Sequence, residues 1–260
     1  MHLHVFDSFL WAATFCSQLL LMLVLFVRRR ARSFPAFTAY IAQSIAATIV
    51  SYFVLNHFPN DVFRHTYWSL SLVDEAFQLL VFGEIAVHVF CPTGVWARDV
   101  RATFVGMIGA SIVVSLLLAW LAHPAAEFAI ERFILRSNFF CALLMSELFV
   151  GMIVLSSTAG LPWKTHVARI AQGLGAYSMV CVAKDIVVNY VGLSHHRLLY
   201  NELSHFRILT YFGCEIFWIV MLWKEAPAPI ELPESMRTQI YSLQKQLEYD
   251  LIRIRTWRRN

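Results

Sequence analysis

Charge is scarce in this chain. Asp, Glu, Lys and Arg make up only 15% of its 260 residues, against about 25% in ordinary globular proteins. No glycine-rich phosphate loop, Cys-x-x-Cys pair or zinc-protease signature is present, which removes the commonest nucleotide, redox and metalloprotease readings. No Ser, His and Asp share a motif, so nothing supports nucleophilic catalysis. The enzyme reading ranks last, and no cofactor is expected. The formal charge of +4 is small, and no nucleic-acid partner is expected.

Two further absences bear on the fold. The five cysteines, Cys16, Cys91, Cys141, Cys181 and Cys214, fall inside apolar runs or at their ends, so no external disulfide framework is implied. Cys91 sits at a run's cytoplasmic boundary, where an ordinary interfacial thiol is favoured over a lipidated one. Proline is missing from the interior of every apolar run. That weighs modestly against the unwound helices that often mark transporter sites.

What the chain has instead is hydrophobic length: 58% of its residues are hydrophobic, more than a soluble fold of this size can hide. About 20 apolar residues span a bilayer as a helix. Seven segments qualify: 5–27, 35–56, 67–90, 102–122, 133–156, 168–191 and 206–223. The first is too long for a signal peptide and runs into Arg28-Arg29-Arg30-Ala31-Arg32. This basic run holds its end in the cytoplasm. Arg98, Arg101, Lys164 and Arg169 agree, while Arg64, Arg197 and Arg207, assigned to outer loops, dilute the bias. The expected fold is an all-α integral membrane bundle of seven transmembrane helices over residues 1–224. Its N-terminus lies outside and its C-terminus in the cytoplasm. Short loops and the lack of glycosylation sequons in outer segments suit a bacterial inner membrane.

Short matches recur along the chain. Ser17-Gln18-Leu19 matches Ser146-Glu147-Leu148, and Ile41-Ala42-Gln43 matches Ile170-Ala171-Gln172, both at an offset of 129. Phe82-Gly83-Glu84-Ile85 resembles Phe212-Gly213-Cys214-Glu215-Ile216, with the glutamates 131 apart. Pro35 and Pro162 open the second helix of each set. The pattern predicts a 3+1+3 parallel internal repeat: 5–90, a linker helix at 102–122, and 133–223. In organisation this resembles the SWEET sugar carriers, which also use parallel repeats. Their Pro-Gln signature is absent, and the resemblance assigns no residue a role.

Ionisable groups inside a bilayer are expensive and need a partner or a purpose. Depth along the helices sorts them into two layers. Gln18, Glu84, Glu147 and Glu215 form an inner layer, with Gln43 and Gln172 near its level and His88 one turn from Glu84. Three readings stand: a ligand or proton site built on mutually repelling carboxylates, a divalent-cation site with His88, or helix-packing hydrogen bonds. The outer layer comprises Asp74, Glu75, Arg136, Lys184 and Asp185. It reads as a salt-bridge network, with a pocket for an anionic ligand as its rival. Lys184 lies in the sixth span beside Asp185, whereas retinal-binding proteins carry their lysine in the last helix, and that reading is set aside. The histidines, mostly external, are read as solvated or headgroup-contacting rather than as a metal-binding or pH-responsive face.

Beyond the spans, residues 225–234 form a Pro-rich connector. Residues 235–260 follow as a cytoplasmic amphipathic helix with Met236, Ile240, Leu243, Leu247 and Ile254 on its apolar stripe. Arg253, Arg255, Arg258 and Arg259 suit anionic inner-leaflet lipid. A homo-oligomeric contact or a cytoplasmic protein partner are the other associations open to it. The leading functional expectation is a small-molecule or proton-linked carrier with a buried polar site between the repeats. A sensor signalling through the tail helix and an accessory membrane subunit remain alternatives.

Overall fold

The computed structural model describes residues 5–90, 98–122, 124, 129–158, 166–191 and 197–225. Seven α-helices carry almost all of them: α1 (Val5–Val27), α2 (Pro35–His57), α3 (Asn60–Phe90), α4 (Arg98–Leu121), α5 (Ala129–Thr158), α6 (His166–Val191) and α7 (Arg197–Trp223). A single 3-10 turn, Arg30–Arg32, joins α1 to α2. Arg29 before it takes φ 55°, the left-handed conformation that stops α1. Pro35 opens α2 at its first turn, where the missing N–H costs nothing. The expected tail helix, the Pro-rich connector, Pro162 and Cys91 lie outside the described residues.

Five helical stretches are long and apolar enough to cross a membrane: Ser8–Val27, Pro35–His57, Ala102–Leu121, Arg132–Val154 and Glu202–Trp223. They are the helices of a multi-pass membrane protein. Their outward faces are apolar and uncovered, as in α4, where Leu117 is 59% and Trp120 74% exposed. Such a surface has no place in water.

Six of the seven helices extend beyond the hydropathy-based bounds, α3 and α7 by the most. α3 begins at Asn60 and α7 at Arg197, so Arg64, Arg197 and Arg207 are helical rather than in outer loops. Hydropathy marks the width of the apolar layer, whereas the backbone ladder continues while polar side chains find local partners. Arg64 pairs with Asp61 one turn back at 3.2 Å.

Neighbours in sequence pack as neighbours in space: α1 on α2, α2 on α3, α5 on α6, and α6 on α7. The two triplets meet through α1 against α7 and α3 against α5, with α3 also touching α6. α4 packs chiefly on α5. The core joins Leu21 and Leu25 of α1, Phe37 and Ile41 of α2, Val81 of α3, Ile170 and Leu174 of α6, and Trp218 and Leu222 of α7. At one end of the bundle, the Arg28 guanidinium lies over the Trp223 ring at 4.8 Å, tying α1 to α7.

Candidate ligand-binding cavity

A cavity of about 210 Å³ opens among α1, α2, α3, α6 and α7. One water needs about 10–15 Å³, and drug-sized sites start near 300 Å³. The space therefore suits a small solute. Helical spacing builds its walls. Tyr40, Ser44 and Ala47-Thr48 recur on one face of α2, and Tyr67, Leu70-Ser71 and Asp74 on one face of α3. Arg207 and Tyr211 follow the same rule on α7, with Gln18 and Tyr177 contributed by α1 and α6.

A smaller cavity of about 70 Å³ lies alongside, lined by Glu75, Gln78, Asn138, Cys141, Lys184 and Asp185. It shares Ser71, Asp74, Tyr177 and Arg207 with the larger one. Four of the five outer-layer residues expected from sequence thus come together. The links between them are shorter-range than a network. Lys184 pairs with its neighbour Asp185 at 2.7 Å, and Gln78 Nε2 donates to Asp74 at 2.7 Å. Ser137 Oγ donates to Glu75 at 3.3 Å, and the Asn138 amide, turned to donate, reaches the same carboxylate.

Arg136 stands apart. Its guanidinium donates to the Ala122 carbonyl at 3.2 and 3.3 Å and lies 5.8 Å from the Trp120 ring centre. A cation there satisfies carbonyls at the end of α4. Arg207 takes the place expected for Arg136, beside Tyr67, Tyr177 and Asp74.

The inner carboxylates have partners in three separate seams and do not meet around one shared site. Glu84 of α3 accepts the backbone amides of Ala36 and Phe37 at 3.1 and 3.0 Å, capping α2. Glu147 of α5 faces Ser111 and Ser115 of α4. Glu215 of α7 is fully buried, takes the Ser17 hydroxyl of α1, and faces Gln18 and Tyr211. His88 sits on an exposed face, its Nδ1 2.9 Å from the Glu84 carbonyl. Gln172 accepts from Arg169 at 3.1 Å, a contact within α6. Among the described residues no group of three His, Cys, Asp or Glu is placed to hold a metal ion.

Of the inner layer, Gln18 borders the cavity and Glu215 lies just beneath it. Gln18 is 3% exposed and its Oε1 has no hydrogen-bond partner; the same holds for Glu215 Oε1, Tyr211 Oη and both polar atoms of the Gln43 amide. Below Glu215 the bundle is closed by Trp218, packed edge-on against Phe37 at 5.2 Å. Trp218 Nε1 donates to the Arg169 carbonyl at 3.3 Å, and Cys214 Sγ donates to the Gly173 carbonyl at 3.3 Å.

In the sequence analysis the tyrosines have no role. Tyr40, Tyr67, Tyr177 and Tyr211 supply four of the cavity's hydroxyls. The available signal was Arg207, Tyr211 and Glu215 at steps of four, a polar stripe along α7.

No protein-family model, curated protein or solved structure matches this chain.

Proposed function

We propose that the chain is a seven-span membrane carrier for a small polar solute, held in the cavity between its two helix triplets. The observation that carries this reading is the cavity itself, walled by α1–α3 on one side and α6–α7 on the other. A site shared by two halves is where relative movement of the halves exposes a solute first to one side and then to the other.

Length and connection support the reading of seven spans. α3 has 31 residues and α6 has 26, or about 46 and 39 Å at about 1.5 Å per residue, against a core of about 30 Å. Only residues 58 and 59 separate α2 from α3, so α3 starts on the side where α2 ends and runs back along it. Four of the charges that lower the hydropathy of α3 and α6, Asp74, Glu75, Lys184 and Asp185, line the cavities, where they avoid the cost of facing lipid. Contacts of α3 with α5 and of α7 with α1 are those that a two-fold relation between the triplets requires. The basic run at 28–32 favours a cytoplasmic end there.

The test is counterflow. Full-length protein in liposomes is preloaded in turn with L-alanine, lactate, ethanolamine or glycerol, and accumulation of the labelled counterpart is followed. Uptake of at least one solute above protein-free liposomes, abolished by Ala47→Trp, which fills the cavity, is the expected result. If none of the four exchanges, the carrier reading fails; binding without exchange favours the sensor.

A further inference from the structure

The larger cavity has one cationic and one anionic side chain in its wall, held apart. Arg207 of α7 and Asp74 of α3 both face it. Asp74 is anchored by Gln78 at 2.7 Å, and Arg207 has the Tyr67 hydroxyl beside it. Arg207 forms no ion pair with any described carboxylate. Lys184, the other cation of this region, is already matched by Asp185 at 2.7 Å.

A half-buried guanidinium and carboxylate serving only to hold helices together lower their burial cost by closing on each other. Here they feel each other electrostatically without meeting, and their separation leaves two poles open to the same space. The remaining wall mixes hydroxyls with apolar surface, the latter from Ala47, Leu70 and the rings of Tyr40, Tyr67, Tyr177 and Tyr211. Gln18 adds an unpartnered amide oxygen on a residue 3% exposed.

We propose that the solute is a small zwitterion of the amino-acid type, its carboxylate on Arg207 and its ammonium on Asp74. The guanidinium offers parallel donors matched to a carboxylate. The ammonium has three donors, of which Asp74 takes one and Gln18 Oε1 can accept another. A ligand with only one charge leaves the opposite pole unmatched, and a neutral polyol leaves both. This assignment rests on the cavity being the binding site, as proposed above.

The four solutes of the counterflow assay separate the ideas, because they differ mainly in these two groups. L-Alanine has both, lactate only the carboxylate, ethanolamine only the ammonium, and glycerol neither. Binding to the full-length protein in lipid nanodiscs is measured by titration calorimetry, and exchange by counterflow. L-Alanine is expected to bind at least tenfold more tightly than each of the other three, in line with sites that reject ligands lacking a matched polar group. Arg207→Gln should remove its advantage over ethanolamine, and Asp74→Asn its advantage over lactate. Arg207→Lys should restore part of the lost affinity, as a charge without the fork.

The wild-type ranking needs no variant, so a misfolded Arg207→Gln protein leaves the question decidable. Lactate, ethanolamine or glycerol binding as tightly as L-alanine overturns the zwitterion assignment, while exchange of that solute keeps the carrier reading. L-Alanine binding without counterflow upholds the ligand class and overturns the carrier. Failure of all four to bind overturns the ligand class, and with no exchange either, the carrier falls too.

Discussion

Glu84 and Phe37 are joined across two helices: the Phe37 amide donates to Glu84 Oε2 at 3.0 Å, while Ala36 donates to Oε1 at 3.1 Å. A carboxylate on α3 thus caps α2, whose own flanking residue Phe34 provides no side-chain cap. The negative charge also faces the positive end of the α2 dipole.

Glu84→Ala should destabilise the bundle by about 2 kcal/mol, the scale of a lost cap with charge-assisted hydrogen bonds. Glu84→Gln, which keeps an acceptor, should cost about half of that. Thermal unfolding of the purified protein in detergent reads the difference. Equal midpoints for wild type and Glu84→Ala would mean that the cap is dispensable. Solute binding in the cavity should be unaffected, since Glu84 does not line it.

Close helix approach makes a second prediction. A methyl group at Gly173 would run into the Trp218 indole, and one at Gly175 into the Phe149 ring. Both rings sit in the core, so Gly173→Ala and Gly175→Ala should each cost about 1–3 kcal/mol by overpacking. At Gly213 a methyl meets nothing within 4 Å, and Gly213→Ala should be neutral or stabilising by up to about 1 kcal/mol. A matched set of melting curves decides. Similar losses at Gly173 and Gly213 would rule out steric contact with α7 as the cause.

Ser17 and Glu215 tie α1 to α7 through a buried hydrogen bond. Ser17→Ala should therefore destabilise the wild type more than it destabilises a Glu215→Leu background. A double-mutant cycle on unfolding midpoints should return a coupling of about 1 kcal/mol or more. Additive effects would indicate that the pair contributes nothing as a pair.

The seven-span topology can be checked with a membrane-impermeant maleimide on intact cells, using a chain whose five native cysteines are replaced by serine. Asn60→Cys, at the start of α3, should label from outside. His88→Cys, on an exposed face near its other end, should label only after permeabilisation, as should Arg32→Cys. Labelling of Asn60→Cys and His88→Cys from the same side would mean that α3 does not cross.

Sequence alone determined the membrane character and the approximate placement of all seven helices. Both depend on summed apolar content and on local backbone hydrogen bonding, which a run of residues carries within itself. The run from Ser8 to Val27 can cross a bilayer whatever it packs against. Sequence also picked out residues costly enough to need partners, and Asp74, Glu75, Lys184 and Asp185 do line polar cavities. It did not determine the partners. Counting along the sequence gives Glu84, Glu147 and Glu215 a similar depth, yet depth says nothing of rotation about the helix axis, and rotation sent them into three seams. Only tertiary packing decided that Arg136 would cap α4 while Arg207 faced the cavity. Those choices depend on which faces meet across helices far apart in the chain, and a single sequence read along its length contains no term for that.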